Sequence, residues 1–199
     1  MAFKKITFVV NPHSANGLTG KEWPYIRAMA KDRLGFFKTQ ITTGPGDATE
    51  LAREAVAEGA EIVVCVGGDG TLNEVINGLM GEREPRKPDL LLGFIPRGTG
   101  CDFVKTVTLP KDPDKALENI AGCNFRRIDL GRLVFQDHEG HTSCRYFHNV
   151  LSFGLGGEVD DRVNRTTKVF GGLVSFIWAT LASILLYNTK QILLKVTSF

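Results

Sequence analysis

Cysteine is scarce and nowhere paired: Cys65, Cys101, Cys123 and Cys144 show no CxxC spacing in 199 residues. Neither a zinc site nor a disulfide framework is indicated, and a reducing cytoplasm is the natural setting. The four histidines contain no HExxH pair, and no GxSxG serine accompanies them, so zinc hydrolysis and serine esterase chemistry lack their residues. There is no GxxxxGK[ST], and no GxGxxG follows the first strand-like run. That disfavours a P-loop NTPase and a dinucleotide-binding Rossmann domain. Charge of one sign is also missing: 24 Lys and Arg face 22 Asp and Glu, a formal +2, which argues against nucleic acid as a partner. No repeat or low-complexity segment is evident.

With 43% hydrophobic residues, the chain is long enough to bury a real core. The opening "MAFKKITFVVN" reads as a first strand and not as a signal peptide, because its apolar run is short and holds Thr7. One uncharged run, the 21 residues from Val169 to Thr189, has the length to span a bilayer. Gly171, Gly172, Ser175, Thr180, Ser183 and Asn188 dilute it, while Leu173, Val174, Ile177, Leu181, Ile184 and Leu185 follow helical spacing. A buried or membrane-apposed helix is the preferred reading. Arg162, Arg165 and Lys168 precede that run and suit an anionic membrane surface.

Apolar β-branched runs alternate with helical patterns from "KITFVVN" through "EIVVCVG" to "LLGFIP". Runs such as Ile62–Val66 are apolar without alternation, as in strands covered on both faces. The expected fold is α/β, with a doubly wound, mostly parallel sheet over residues 1–127. From 128 to 199 the expectation is an incomplete β-rich second domain, opened by a hairpin about the turn "QDHEG". The closing "KQILLKVTSF" reads as one more strand. Its position at the last residue suggests that the natural chain continues, and an exposed apolar edge there predicts self-association.

In such a sheet ligands collect at the carboxyl ends of the strands, and "GGDGTLNEV" follows the third strand. Glycines there admit positive φ and close approach, and the helix that follows aims unpaired N–H groups at the same spot, which favours phosphate. Asp69 would repel a phosphate. A magnesium ion removes the conflict, since it bridges carboxylates to phosphates through oxygen. The plainer alternative is a tight turn with Asp69 as a helix cap, and Glu74 in the first helical turn has the plain role of complementing the dipole. Two further turns, "NPHSANG" after the first strand and "PRGTGCDF" after the fourth, converge on the same sheet edge.

Taken in order, "NPHSANG", "TTGPGDA", "GGDGTLNEV" and "PRGTGCDF" resemble the diacylglycerol kinase catalytic-domain family of lipid kinases, in particular its soluble bacterial members. "FHNVLSFGLGGEVDDRVN" is similar to the start of that family's β-sandwich second domain. The resemblance implies a nucleotide between the two domains, with ATP and Mg2+ as cofactors. Asn11 and Ser14 match the first phosphate-side turn, Thr42 the "GDA" turn, and Thr99 the GT turn. Gly67, Gly68, Asp69, Gly70, Thr71, Leu72 and Asn73 match the nucleotide loop. Asp69 would position metal and phosphate for catalysis, with Asp102 as a second metal ligand. Two residues depart from the pattern: Ala15 stands where glycine is usual, and Cys101 where asparagine is usual.

The family's catalytic carboxylate lies in a DGE-like motif late in the second domain, so the general base is expected beyond Phe199 and residues 1–199 are expected to be inactive. Glu158, Asp160 and Asp161 lie too early to match that motif. The implied activity is transfer of the γ-phosphoryl of ATP to a lipid hydroxyl, by a cytoplasmic protein in peripheral contact with the inner membrane surface. Kinases of soluble acceptors such as NAD also carry GGDGT and form one alternative. A non-catalytic nucleotide-sensing domain is the other.

Overall fold

The computed structural model describes residues 5–137, 139–152 and 193–197. Contacts divide the chain into two compact units, Met1–Asn149 and Val150–Phe199. The fold below is that of the first.

Four strands form one sheet: β1 (Ile6–Val10), β2 (Lys38–Ile41), β3 (Ile62–Gly67) and β4 (Leu91–Pro96). Their order is β2-β1-β3-β4, and each neighbouring pair is parallel. Every residue of β1 and β3 is buried, because helices cover both faces of the sheet. Alternation along the strands sorts the core into two layers. Ile6, Phe8, Val10, Ile62, Val64 and Val66 pack with Ile26 and Ala30 of α1 (Leu18–Leu34) and with Ala116 and Leu117 of α5 (Pro113–Ala121). Val9, Val63 and Cys65 face the other way, toward Ala48, Ala52 and Ala55 of α2 (Asp47–Ala57) and Leu72, Val75 and Ile76 of α3 (Asp69–Leu79). Right-handed crossovers require this division, since the chain leaves β1 in one direction and later returns in the other. The reversal lies between β1 and β3, the place where doubly wound sheets open a crevice for ligands.

Two local features were not foreseen. After β1, Ala15 (φ 51°), Asn16 (φ 56°) and Gly17 (φ 84°) make consecutive left-handed residues. After β4 a short helix, α4 (Asp102–Val107), begins behind Cys101 at φ 47°. Both positions where the sequence departs from the family's usual residue are therefore left-handed, the conformation that glycine and asparagine tolerate best.

The hairpin formed as expected. β5 (Gly131–Gln136) and β6 (Thr142–Phe147) pair antiparallel from Gly131↔Phe147 to Gln136↔Thr142. Asp137 closes the turn by accepting the N–H groups of Glu139 and His141 at 3.0 and 2.9 Å. The expected domain boundary near Arg127 falls between α5 and β5, whereas the hairpin counts with the first unit by contacts. The strand expected at the chain's close is corrected: residues 193–197 have no regular structure and are exposed. Among the described residues no strand pairs with them, and an unpaired strand has no partner for its backbone groups. Among the described residues no helix is long and apolar enough to cross a membrane; the uncharged run 169–189 lies outside them.

Candidate functional site

The turns after β1, β3 and β4 end side by side and are tied together by side chains. Asn11 Nδ2 donates to Thr71 Oγ1 at 2.9 Å, joining the first turn to the third strand's loop. Ser14 Oγ donates to Asn11 O at 2.9 Å and lies 2.6 Å from Thr19 Oγ1, which in turn lies 3.3 Å from Arg97 O. Each hydroxyl has one proton, so two of these three contacts are hydrogen bonds at any moment, and together they join the first turn to the fourth. Asp69 completes the set: Oδ2 accepts the N–H of Asp102 at 3.0 Å and Oδ1 that of Phe103 at 3.3 Å. The carboxylate that opens α3 therefore caps α4, the helix after the next strand. The plainer reading, a cap on the helix that follows the loop, is corrected: α3 has no side-chain cap, and Asp69 caps instead a helix that sequence alone did not show.

The glycines act by close approach. None of Gly67, Gly68 or Gly70 has a positive φ, which corrects the expectation of left-handed backbone in this loop. A Cβ on Gly67 would lie 2.8 Å from Thr71 Cβ, and one on Gly98 would lie 2.6 Å from Gly68 Cα. Gly70 is the exception, exposed and with open space where a side chain would be. Behind it α3 starts at N-cap Gly68 without a side-chain cap, whereas α5 is capped by Asp112, which accepts the Lys115 N–H at 3.1 Å. The first amides of α3 are thus donors that the helix itself cannot use.

The other sequence-predicted residues divide into two groups. Thr42, buried at the end of β2, donates its N–H to Val10 O at 2.9 Å and so sits beside the first turn. Thr99 is exposed on the fourth turn. Both stand at the shared edge. Leu72 is fully buried in the core, so only its backbone can contribute to the loop. Asn73 points away from the turns and donates Nδ2 to Tyr146 O at 3.0 Å. Glu74 does more than complement a dipole: its Oε2 accepts the Ala48 N–H at 3.2 Å, at the start of α2. Thr19, Asn77 and Tyr146 were missed. Only Asn77 left a trace in the sequence, since it follows Asn73 by four residues and shares its helix face.

Two carboxylates, Asp69 and Asp102, stand beside the loop. Asp102 is exposed and pairs with Lys105 at 2.6 Å; the Lys105 ammonium holds its carboxyl below the usual range. Asp69 and Asp102 meet at Gly100, where a Cβ would lie 3.4 Å from Asp102 Oδ2 and 4.0 Å from Asp69 Oδ2. Among the described residues no group of three or more His, Cys, Asp and Glu could hold a metal. Two carboxylates completed by water and phosphate oxygens match the way magnesium is held in nucleotide sites. Burial pushes the Cys65 and Cys101 thiols up, which keeps both protonated and out of nucleophilic chemistry.

The sequence model of the diacylglycerol kinase catalytic domain matches residues 5–133. The chain belongs to that family. The diacylglycerol kinase of Staphylococcus carnosus (strain TM300) is 32% identical over 170 residues, 85% of this chain and 51% of that protein. The diacylglycerol kinase of Staphylococcus aureus (strain Newman) is 33% identical over 153 residues, 76% of this chain and 44% of that one. A diacylglycerol kinase crystal structure from Bacillus anthracis str. Sterne superposes with a TM-score of 0.56 at 26% identity, covering 71% of this chain and 46% of that one. The chain spans about half the length of the curated relatives it matches. As a family member it is a kinase-type fold in which the matched segment holds all three latched turns.

Proposed function

We propose that this chain carries the nucleotide side of an ATP-dependent lipid kinase, which transfers the γ-phosphoryl of ATP to the hydroxyl of a diacylglycerol-like lipid. The observation that carries the reading is the uncapped N-terminus of α3, set at the sheet's switch point with open space over Gly70. Relatives named diacylglycerol kinase support a lipid acceptor over a soluble one.

Phosphoryl transfer asks the protein mainly to position groups and to offset charge. The amides of Asp69, Gly70 and Thr71 meet the phosphates, aided by the helix dipole. The bare Cα of Gly70 leaves room for them. Thr42 and Thr99 hydrogen-bond the nucleotide, and Asn11 and Ser14 hold the first turn against the loop. Asp69 and Asp102 would hold the magnesium ion, which would neutralise charge on the transferred group. The lipid is met at a membrane surface in peripheral contact.

The test uses the full-length protein: calorimetry with ATP and magnesium, then transfer of labelled phosphate to vesicles containing diacylglycerol. Saturable binding and label in the lipid are expected. Transfer to NAD but to no lipid would assign a soluble acceptor instead, and binding without any transfer would make the domain a nucleotide sensor.

A further inference from the structure

β6 ends on the helix that carries the nucleotide loop. Tyr146 donates its N–H to Asn77 Oδ1 at 2.9 Å, and Asn77 Nδ2 donates back to Tyr146 O at 2.9 Å. Asn73 Nδ2 donates to the same carbonyl at 3.0 Å. The Asn77 amide thus imitates a neighbouring strand and satisfies both backbone groups of a buried residue. Its remaining donor goes to Asn73 O at 2.8 Å, so both N–H groups are engaged. Aspartate could not donate here, and an apolar residue would leave the buried Tyr146 N–H unpaired and its carbonyl with Asn73 alone.

The chain then crosses to a second helix. The ring of His148 meets Phe103 of α4 edge-on at 4.7 Å and 82°, and Thr106 of α4 donates Oγ1 to Asn149 Oδ1 at 3.2 Å. Residues 146–149 therefore connect α3 to α4, the two helices whose first residues are Asp69 and Asp102.

We infer that residues 146–149 form a strap that holds α4 against α3, that Asn77 is the positioning residue anchoring it, and that the strap fixes the separation of the Asp69 and Asp102 carboxylates for phosphoryl transfer. The catalytic part of this inference rests on the lipid-kinase reading; the strap itself does not. A displacement of about 1 Å between groups that must act together reduces turnover by up to about a hundredfold, and beside the buried cluster that Leu72 and Val75 share with Phe103 and Val104 the strap is a hydrogen-bonded connection from α3 to α4 that lies outside the nucleotide turns.

The experiment compares Asn77→Ala with Tyr146→Phe in the full-length protein. Tyr146→Phe removes only the hydroxyl's bond to Glu82 O at 2.8 Å and leaves the backbone clamp intact, so it controls for a general loss of stability. Amide exchange at Asp102 and Phe103, whose N–H groups Asp69 holds, is read alongside KM for ATP, kcat and Tm. Asn77→Ala is expected to speed exchange at both amides about tenfold, to lower kcat about tenfold or more and to leave KM for ATP nearly unchanged. Tyr146→Phe is expected to change neither exchange nor kcat by more than about twofold. Unchanged exchange at Asp102 and Phe103 in Asn77→Ala would overturn the strap. So would kcat losses that follow Tm alike in the two variants. If Asn77→Ala fails to fold, Asn73→Ala, which removes one of the two donors to Tyr146 O, is read against the same control. A parent that phosphorylates no lipid would overturn the lipid-kinase reading, while the exchange comparison would still decide the strap.

Discussion

Gly98 lies against Gly68 so closely that a Cβ on Gly98 would stand 2.6 Å from Gly68 Cα. Side chains essentially never approach backbone that closely, so the turns after β3 and β4 keep this contact only while residue 98 is glycine; a Cβ on Gly68 would stand 3.2 Å from Gly98 Cα, tight but within reach of a small shift. Gly98→Ala must push the fourth turn away and carry Thr99 and Asp102 with it. The expected outcome is a loss of ATP affinity of about tenfold or more, measured by calorimetry with magnesium. Affinity equal to the parent's would show that the contact between the turns does not shape the nucleotide site.

Gly70→Val separates fold from function in the opposite way. Nothing lies within 4 Å of a Cβ there, and valine is no worse a helix former than glycine, so stability should change by no more than about 0.5 kcal/mol. Nucleotide binding should nevertheless be lost, because the side chain fills the space over the first amides of α3. A variant that binds ATP like the parent would place the phosphates elsewhere.

Asp69→Asn should damage two properties at once. Only a carboxylate accepts on both oxygens from Asp102 and Phe103, and an amide group would face one of those N–H donors with its own. Loss of charge-assisted bonds of this kind amounts to about 1–2 kcal/mol, a fall of about 2–8 °C in Tm. At saturating magnesium kcat should drop roughly a hundredfold. An unchanged Tm would mean that the cap on α4 is worthless, and an unchanged kcat would remove Asp69 from the reaction.

Ala15→Gly should stabilise the protein. Left-handed backbone costs an L-residue about 1–2 kcal/mol, and the greater freedom of unfolded glycine returns about 0.4–1 kcal/mol of that. The net gain of about 0.5–1 kcal/mol should raise Tm by about 1–4 °C. A lower Tm would mean that the alanine methyl makes packing contacts that outweigh the strain.

Asp47 makes the turn after β2 sensitive to acid. Its Oδ2 accepts from the Thr43 hydroxyl at 2.6 Å and from the N–H groups of Thr43 and Gly44 at 2.7 and 2.9 Å, and these bonds hold its carboxyl below the usual range. A folded pKa lower than the unfolded one gives stability that is present above about pH 5 and lost as the pH falls below about 4. Thermal unfolding from pH 7 to pH 3 should show parent and Asp47→Asn differing at neutral pH and converging in acid. A constant gap across that range would assign the difference to shape and not to charge.

The alternation of apolar runs with helical patterns was legible because each is local: "EIVVCVG" carries its own burial, and "QDHEG" its own turn. The convergence of Gly-containing turns was legible too, since parallel strands joined by helices put all their carboxyl ends on one edge. α4 escaped notice because its six residues are too few for a periodic pattern and its cap comes from another part of the chain. The closing residues misled by composition, since Leu193, Leu194 and Val196 resemble a strand whether or not a partner exists to pair with them.

By itself the sequence determined the four parallel strands, the longer helices and the hairpin, the bare loop at Gly67–Gly70 and the supply of carboxylates and amides near the sheet edge, since each depends on residues within a few positions of one another. Only the tertiary structure decided what those side chains hold. Asn11 finds Thr71 across 60 positions, Asp69 finds Asp102 across 33, and Asn77 finds Tyr146 across 69. A hydrogen bond requires donor and acceptor within about 3 Å, and separations of that length along the chain leave the choice of partner to the packing of the sheet and its helices.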